Sequence, residues 1–172
     1  MAVAAGLAVA GCSHTVDGSA QLAQPEAVES GRNFGYVDNS CGRLADSTVR
    51  DTVDAEDIVR PYSGAVCQYV LSRGDSTIDA TFSWFETGSL ERERSLAQER
   101  GAEITDTVVE RYPTFLARTS ATGVACSATT SANPGVLSWW VQYRAEQEGA
   151  EQDGDPCADA EKLLAATLSS EM

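Results

Sequence analysis

The chain has one histidine and one lysine in 172 residues, and both scarcities narrow what it does. His14 falls in a polar stretch with no hydrophobic period. Ser-His, Cys-His and histidine-metal constellations therefore have no histidine to draw on in the body of the chain. With eleven arginines beside Lys162, the bases total 12 against 26 acids, and the formal net charge is -14. Such a surface repels polyanions over a Debye length, about 10 Å at 0.1 M salt, so no nucleic-acid partner is expected. No run approaches the roughly 20 apolar residues that span a bilayer. No pair of cysteines has the CxxC spacing of zinc and redox motifs. Two carboxylates alone can serve a glycosidase, and Asp79 with Glu86 is the pair the sequence offers, but solvent exposure is the ordinary expectation for Asp79 on the polar side of a strand. No catalytic residue, cofactor or metal is expected, and the chain is not read as an enzyme.

What is present begins with Leu7-Ala8-Val9-Ala10-Gly11-Cys12, an apolar run closed by two small residues and a cysteine, which resembles a bacterial lipobox. On that resemblance residues 1–11 are a lipoprotein signal peptide and Cys12 becomes the first mature residue. Its lipid would hold the protein at the cytoplasmic membrane, on the extracytoplasmic face. A signal peptide has a basic n-region and about 15–30 residues; nothing from Met1 to Gly11 is charged, so the start looks clipped. A diacylated or triacylated cysteine anchors stably, each buried methylene contributing about 0.8 kcal/mol. Residues 12–33 lack any hydrophobic period and read as a flexible tether. Residues 34–172 are then a single domain.

The cysteines are Cys12, Cys41, Cys67, Cys126 and Cys157. The odd count resolves if Cys12 is acylated and the other four pair, in one of three connectivities. The favoured pairing is Cys41–Cys67 with Cys126–Cys157, since each joins sequence neighbours and staples a helix end to a strand. Each would close a loop of about 26–31 residues, worth roughly 3–4 kcal/mol on the chain-entropy model.

Within the domain, Asp46-Ser47-Thr48 is expected to cap a short helix through Val49 and Val53. Pro61-Tyr62-Ser63-Gly64 then breaks the chain, and Cys67 to Leu71 reads as a strand. Ile78, Ala80, Phe82 and Trp84 alternate with Thr77, Asp79, Thr81 and Ser83, the pattern of a half-buried antiparallel strand. The Arg73-Gly74-Asp75 tripeptide between these strands reads as a hairpin turn rather than an adhesion ligand. Ser89 or Thr87 caps a helix from about Leu90 to Arg100, which Gly101 ends. Strand patterns return in Ile104 to Glu110, Thr114 to Thr119, Gly123 to Thr130 and Gly135 to Tyr143, with Pro113 marking a turn or an edge. The acids Glu148, Glu151, Asp153, Asp155 and Asp159 lack EF-hand spacing, so Glu146 to Asp155 is expected to be a solvated loop. Asp155-Pro156 starts a helix to about Ser169, with Cys157, Ala160, Leu164 and Leu168 on one stripe.

In the last strand Leu137, Trp139, Val141 and Tyr143 share one face and Val136, Ser138, Trp140 and Gln142 the other. One of the adjacent tryptophans must point away from the core, either beneath a helix on the second face or toward a ligand. Trp139, Trp140 and Tyr143 are the candidate contact residues.

Asn39-Ser40-Cys41-Gly42-Arg43-Leu44 before a helix, a cysteine opening a strand at Cys67, another within a strand at Cys126, and Asp155-Pro156-Cys157 before an Ala/Leu helix resemble the actinobacterial lipoproteins of domain-of-unknown-function family 3558. The resemblance covers about Phe34 to Ser169. Where members often carry a tryptophan two residues after the second cysteine, this chain has Tyr69. The expected fold class is α+β, an antiparallel sheet with helices packed on it in the order α-β-β-α-β-β-β-α; the resemblance rests on cysteine placement and that element order, and it implies a secreted and lipid-anchored domain. Some members are associated with type VII secretion loci, and no active site is transferred. The expected function is a lipid-anchored binding or assembly module for an envelope protein, lipid or peptide. The alternative is an accessory structural lipoprotein of a secretion complex.

Overall fold

A computed structural model describes residues 33–120, 124–132, 134–144 and 154–170. The expected signal peptide, Cys12 and nearly all of the tether lie outside the described residues, as does the acidic loop up to Asp153. Ten elements follow in order: α1 (Asp46–Thr52), β1 (Asp57–Ser63), β2 (Val66–Arg73), β3 (Ser76–Phe85), α2 (Leu90–Glu99), β4 (Glu103–Val109), β5 (Tyr112–Thr119), β6 (Ala125–Ser131), β7 (Val136–Arg144) and α3 (Pro156–Ser169). The seven strands form one antiparallel sheet in the order β1-β2-β3-β7-β6-β5-β4. Two meanders thus meet where β3 pairs with β7, and α2 carries the chain from the sheet's centre to its far edge. The α+β architecture, an antiparallel sheet with helices packed on it, is the expected one; it has three strands ahead of α2 and four after it where the expected order had two and three.

Both disulfides form as expected, Cys41–Cys67 and Cys126–Cys157. The first ties the N-terminal loop to β2, and the second ties the first turn of α3 to β6. Asp155 caps α3, its carboxylate accepting from the Cys157 amide at 3.1 Å, and Pro156 opens the helix. Ser89, not Thr87, caps α2 by accepting from the Arg92 amide.

The core lies between α3 and one face of the sheet. From β2 come Tyr69 and Leu71, from β3 Ile78, Ala80 and Phe82, and from β7 Leu137, Trp139, Val141 and Tyr143. They meet Ala160, Leu163, Leu164 and Leu168 of α3. Trp139 is at its centre, stacked on Tyr69 and tilted against Phe82, and its indole N–H donates to Thr167 Oγ1 at 2.9 Å.

Two sequence expectations need correction. Pro61 does not break the chain: β1 runs through it, because β1 is an edge strand and its register slips between Val59 and Tyr62, where a missing N–H costs no ladder bond. This strand escaped notice because its face pattern is mostly exposed. Asp46 does not cap α1 from outside but sits in its first turn, with Ala45 at the cap position. Asn39-Ser40-Cys41-Gly42-Arg43-Leu44 precedes α1 as expected and carries a structure of its own. Val37 pairs with Ser40 and Cys41 with Leu44, each across a two-residue turn with positive φ at both positions: Asp38 and Asn39, then Gly42 and Arg43. Gly42 is also required by space, since a Cβ there would lie 2.8 Å from the Phe82 ring. Arg60 of β1 secures this double turn by donating to the Asn39 carbonyl at 2.9 Å and to its side-chain oxygen, with Asp46 Oδ1 at 3.1 Å.

The β4–β5 hairpin turns through Glu110 and Arg111 at φ 47° and 70°, a conformation that favours Asn-Gly. Replacing the pair by Asn-Gly is expected to stabilise the protein by about 0.5–1 kcal/mol, measured as a raised urea midpoint. An unchanged or lowered midpoint would contradict the strain argument.

Candidate functional site

Alternation along β3 and β7 splits their side chains between the two faces, and the second face carries the candidate site. Across it, Thr81 pairs with Gln68 of β2 on one side and with Trp140 of β7 on the other, and Trp140 pairs in turn with Ser127 of β6. One row later Ser83, Ser138 and Thr129 align, and one row earlier Val70, Asp79 and Gln142. The face is therefore rich in hydroxyls and amides, with a half-buried tryptophan at its middle.

Among the described residues only part of this face is covered. α2 packs over β4, β5 and β6, with the Arg94 guanidinium 5.0 Å above the Phe115 ring and ion-paired to Asp106. No residue of α2 is fully buried. A cavity of about 280 Å³ remains at its edge, lined by Ser83, Glu93, Ala97, Phe115, Ser127 and Trp140 among others. A second hollow of about 280 Å³ lies over β2 and β3, lined by Pro61, Gln68, Val70, Asp79, Thr81, Trp140 and Arg144 among others. Trp140 lines both. At the rim Arg144 makes a two-pronged contact with Asp79, Nε to Oδ2 and Nη2 to Oδ1, each 2.6 Å. Those bonds, and the carboxylate's charge, hold the Arg144 guanidinium above its ordinary range. Val59 and Tyr62 of β1 extend the open side as exposed apolar groups.

The three candidate contact residues separate. Trp140 is on this open face. Trp139 and Tyr143 are not available to a partner: both are buried beneath α3, at 0% and 1% exposure. The Tyr143 hydroxyl donates to Asp159 Oδ2 at 2.6 Å and accepts from Arg73 Nη2 at 2.7 Å. Arg73 Nη1 also reaches Asp159 Oδ2 and the Val53 carbonyl, both at 2.9 Å. Arg73 is thus turned inward, and Gly74-Asp75 forms the expected two-residue hairpin turn between Arg73 and Ser76. The Asp79–Glu86 pair is not assembled, since the two lie seven positions apart on one extended segment, roughly 23 Å at about 3.3 Å per residue, far beyond the carboxylate separations of glycosidases. Among the described residues no three His, Cys, Asp or Glu side chains converge as metal ligands.

Sequence reasoning missed the pair of half-buried Arg73 with buried Asp159. Its signal was an acid on the apolar stripe of α3, where Asp159, Leu163 and Thr167 recur every fourth residue and all are buried.

The described residues define a disulfide-stapled α+β domain with one face of its sheet closed by a helix and the other half covered by α2. The family model described as "Protein of unknown function (DUF3558)" matches residues 7–170, and the chain belongs to that family. No curated protein and no solved structure matches it.

Burial pushes the Tyr69 hydroxyl up to about 12, with the Asp46 carboxylate adding to the effect. Burial and the hydrogen bond to Asp159 likewise raise Tyr143. An unfolded tyrosine titrates near 10. The folded state therefore holds these protons more tightly, and the stability they contribute is complete below about pH 10 and lost as pH rises through the folded values. The urea midpoint is expected to decline above about pH 10, with a smaller decline in Tyr69→Phe. A wild-type midpoint that stays flat to about pH 11 would contradict this.

Proposed function

We propose that the protein is a lipid-anchored binding module on the extracytoplasmic face of the cytoplasmic membrane, held by Cys12 and engaging an envelope partner through the open half of its sheet. The observation that carries the binding reading is the half-buried Trp140 between two hollows on a face that α2 leaves partly uncovered. A tryptophan so placed offers a large rigid contact area with a polar handle.

Support for the address comes from the cysteines. Four of the five are used in two disulfides, which suits an oxidising compartment and leaves Cys12 as the odd one. The family match begins at residue 7, so it takes in the Leu7–Cys12 run as well as the domain. Among the described residues no helix is long and apolar enough to cross a membrane, so on this reading attachment falls to the lipid.

Cell fractionation tests the anchor and photo-crosslinking tests the face, on the same protein. Wild type is expected in the membrane fraction and Cys12→Ser in the soluble one. A photo-reactive residue at position 140 is expected to give a discrete adduct in intact cells, and one at position 94, on α2, none. Membrane retention of Cys12→Ser would refute the anchor, and equal crosslinking from both positions would refute the face.

A further inference from the structure

The open face restricts the chemistry of what it holds. Its floor is built from β2, β3, β7 and β6, interior strands paired on both sides. Their main-chain donors and acceptors are committed to the ladder, so an extended peptide laid there would gain none of the backbone pairing that holds peptides to sheet edges. An acyl chain needs an apolar pocket. Here both hollows lie open at the surface and mix the two kinds of group: Val70 with Gln68 and Asp79 in one, Phe115 with Ser83 and Ser127 in the other. A net charge of -14 disfavours polyanions.

What remains is a ligand that is uncharged, carries hydroxyls around its edge and has a flat apolar face, which is the chemistry of a sugar ring. An aromatic plane receives such a face, and the hydroxyl, amide and paired Asp79–Arg144 groups around it suit the edge. Because Trp140 lines both hollows, one ring on the indole would have neighbours on either side. We infer that this face binds a neutral oligosaccharide chain laid across Trp140, with successive sugar units in the two hollows. The inference rests on the proposed reading of this face as the binding surface and names its ligand class.

Tryptophan fluorescence of the full chain in detergent tests it, titrated with two-unit and six-unit oligomers of α-glucan, β-glucan, galactan and N-acetylglucosamine. A saturable shift is expected with at least one six-unit oligomer, about tenfold tighter than with its two-unit counterpart. By isothermal titration calorimetry, which needs no reporter at the site, Trp140→Ala should abolish binding of that oligomer and Trp140→Phe retain part of it. Asp79→Asn, at the rim and outside the core, should weaken it several-fold with an unchanged unfolding midpoint, which separates loss of the site from loss of the fold. No shift with any oligomer at about 10 mM, or calorimetric binding that Trp140→Ala and Asp79→Asn both leave intact, would overturn the inference. If a lysine-rich peptide bound in a Trp140-dependent way and no oligosaccharide did, the glycan assignment would fall while the binding-face reading stood.

Discussion

A buried carboxylate governs this fold. Asp159, 2% exposed, sits within the apolar stripe of α3, where an isolated charge would be prohibitive. It is tolerated because Arg73 and Tyr143 both bond to its Oδ2, while Lys162 approaches Oδ1 at 3.4 Å. Arg73 also holds the last turn of α1 through the Val53 carbonyl. One cluster thus joins the β2–β3 hairpin, β7, α1 and α3. Removing the partner of a buried charge typically costs about 3–5 kcal/mol, and the charge so exposed here is Asp159, since Arg73 is itself only half-buried. With Cys126–Cys157 pinning the helix's first turn to β6, α3 has little freedom to shift along the sheet. Even the turn ahead of it is shaped by this cluster, since a Cβ on Gly154 would lie 2.4 Å from Arg73 Nη2.

Closing one face so firmly leaves the two faces unequal. The α3 side takes Trp139, Tyr69 and Phe82 into a continuous core. The other side has α2, a helix with no buried residue, over the β4–β6 half, and among the described residues no helix over the β1–β3 half. The adjacent tryptophans express that division: the pleat sends Trp139 into the core and Trp140 to the hydroxyl-rich face. On the proposed reading, the firmness of the first face is what lets the second present a fixed surface outward from a lipid-held domain.

Much of this was legible in the residues. The alternation in β3 and β7 set their faces correctly, Asp155-Pro156 set the start of α3, and sequence proximity set both disulfides. The failures have physical causes. β1 carries Arg60, Pro61 and exposed Val59 and Tyr62, and an edge strand with a register slip has no clean period to detect. The double turn before α1 rests on positive φ at Asp38, Asn39, Gly42 and Arg43; Asp, Asn and Gly tolerate that conformation, but no strand alternation flanks them to mark a pair of turns. For Trp139 and Trp140 alternation gave opposite faces but not which face had a helix over it. That depended on where α2 and α3 pack, information carried by long-range contacts. The ion pair of Arg73 with Asp159 spans 86 positions, and no local pattern links them.

The division between the tryptophans is also where the account is most exposed. Hydroxyl-radical footprinting of the full chain, purified and in intact cells of its host, reads both side chains in one experiment. Trp139 should be protected in both settings. Trp140 should be oxidised in the purified protein and protected in the cell, because the open face is then occupied. Equal oxidation of Trp140 in both settings would contradict the claim that this face is where the protein meets its partner.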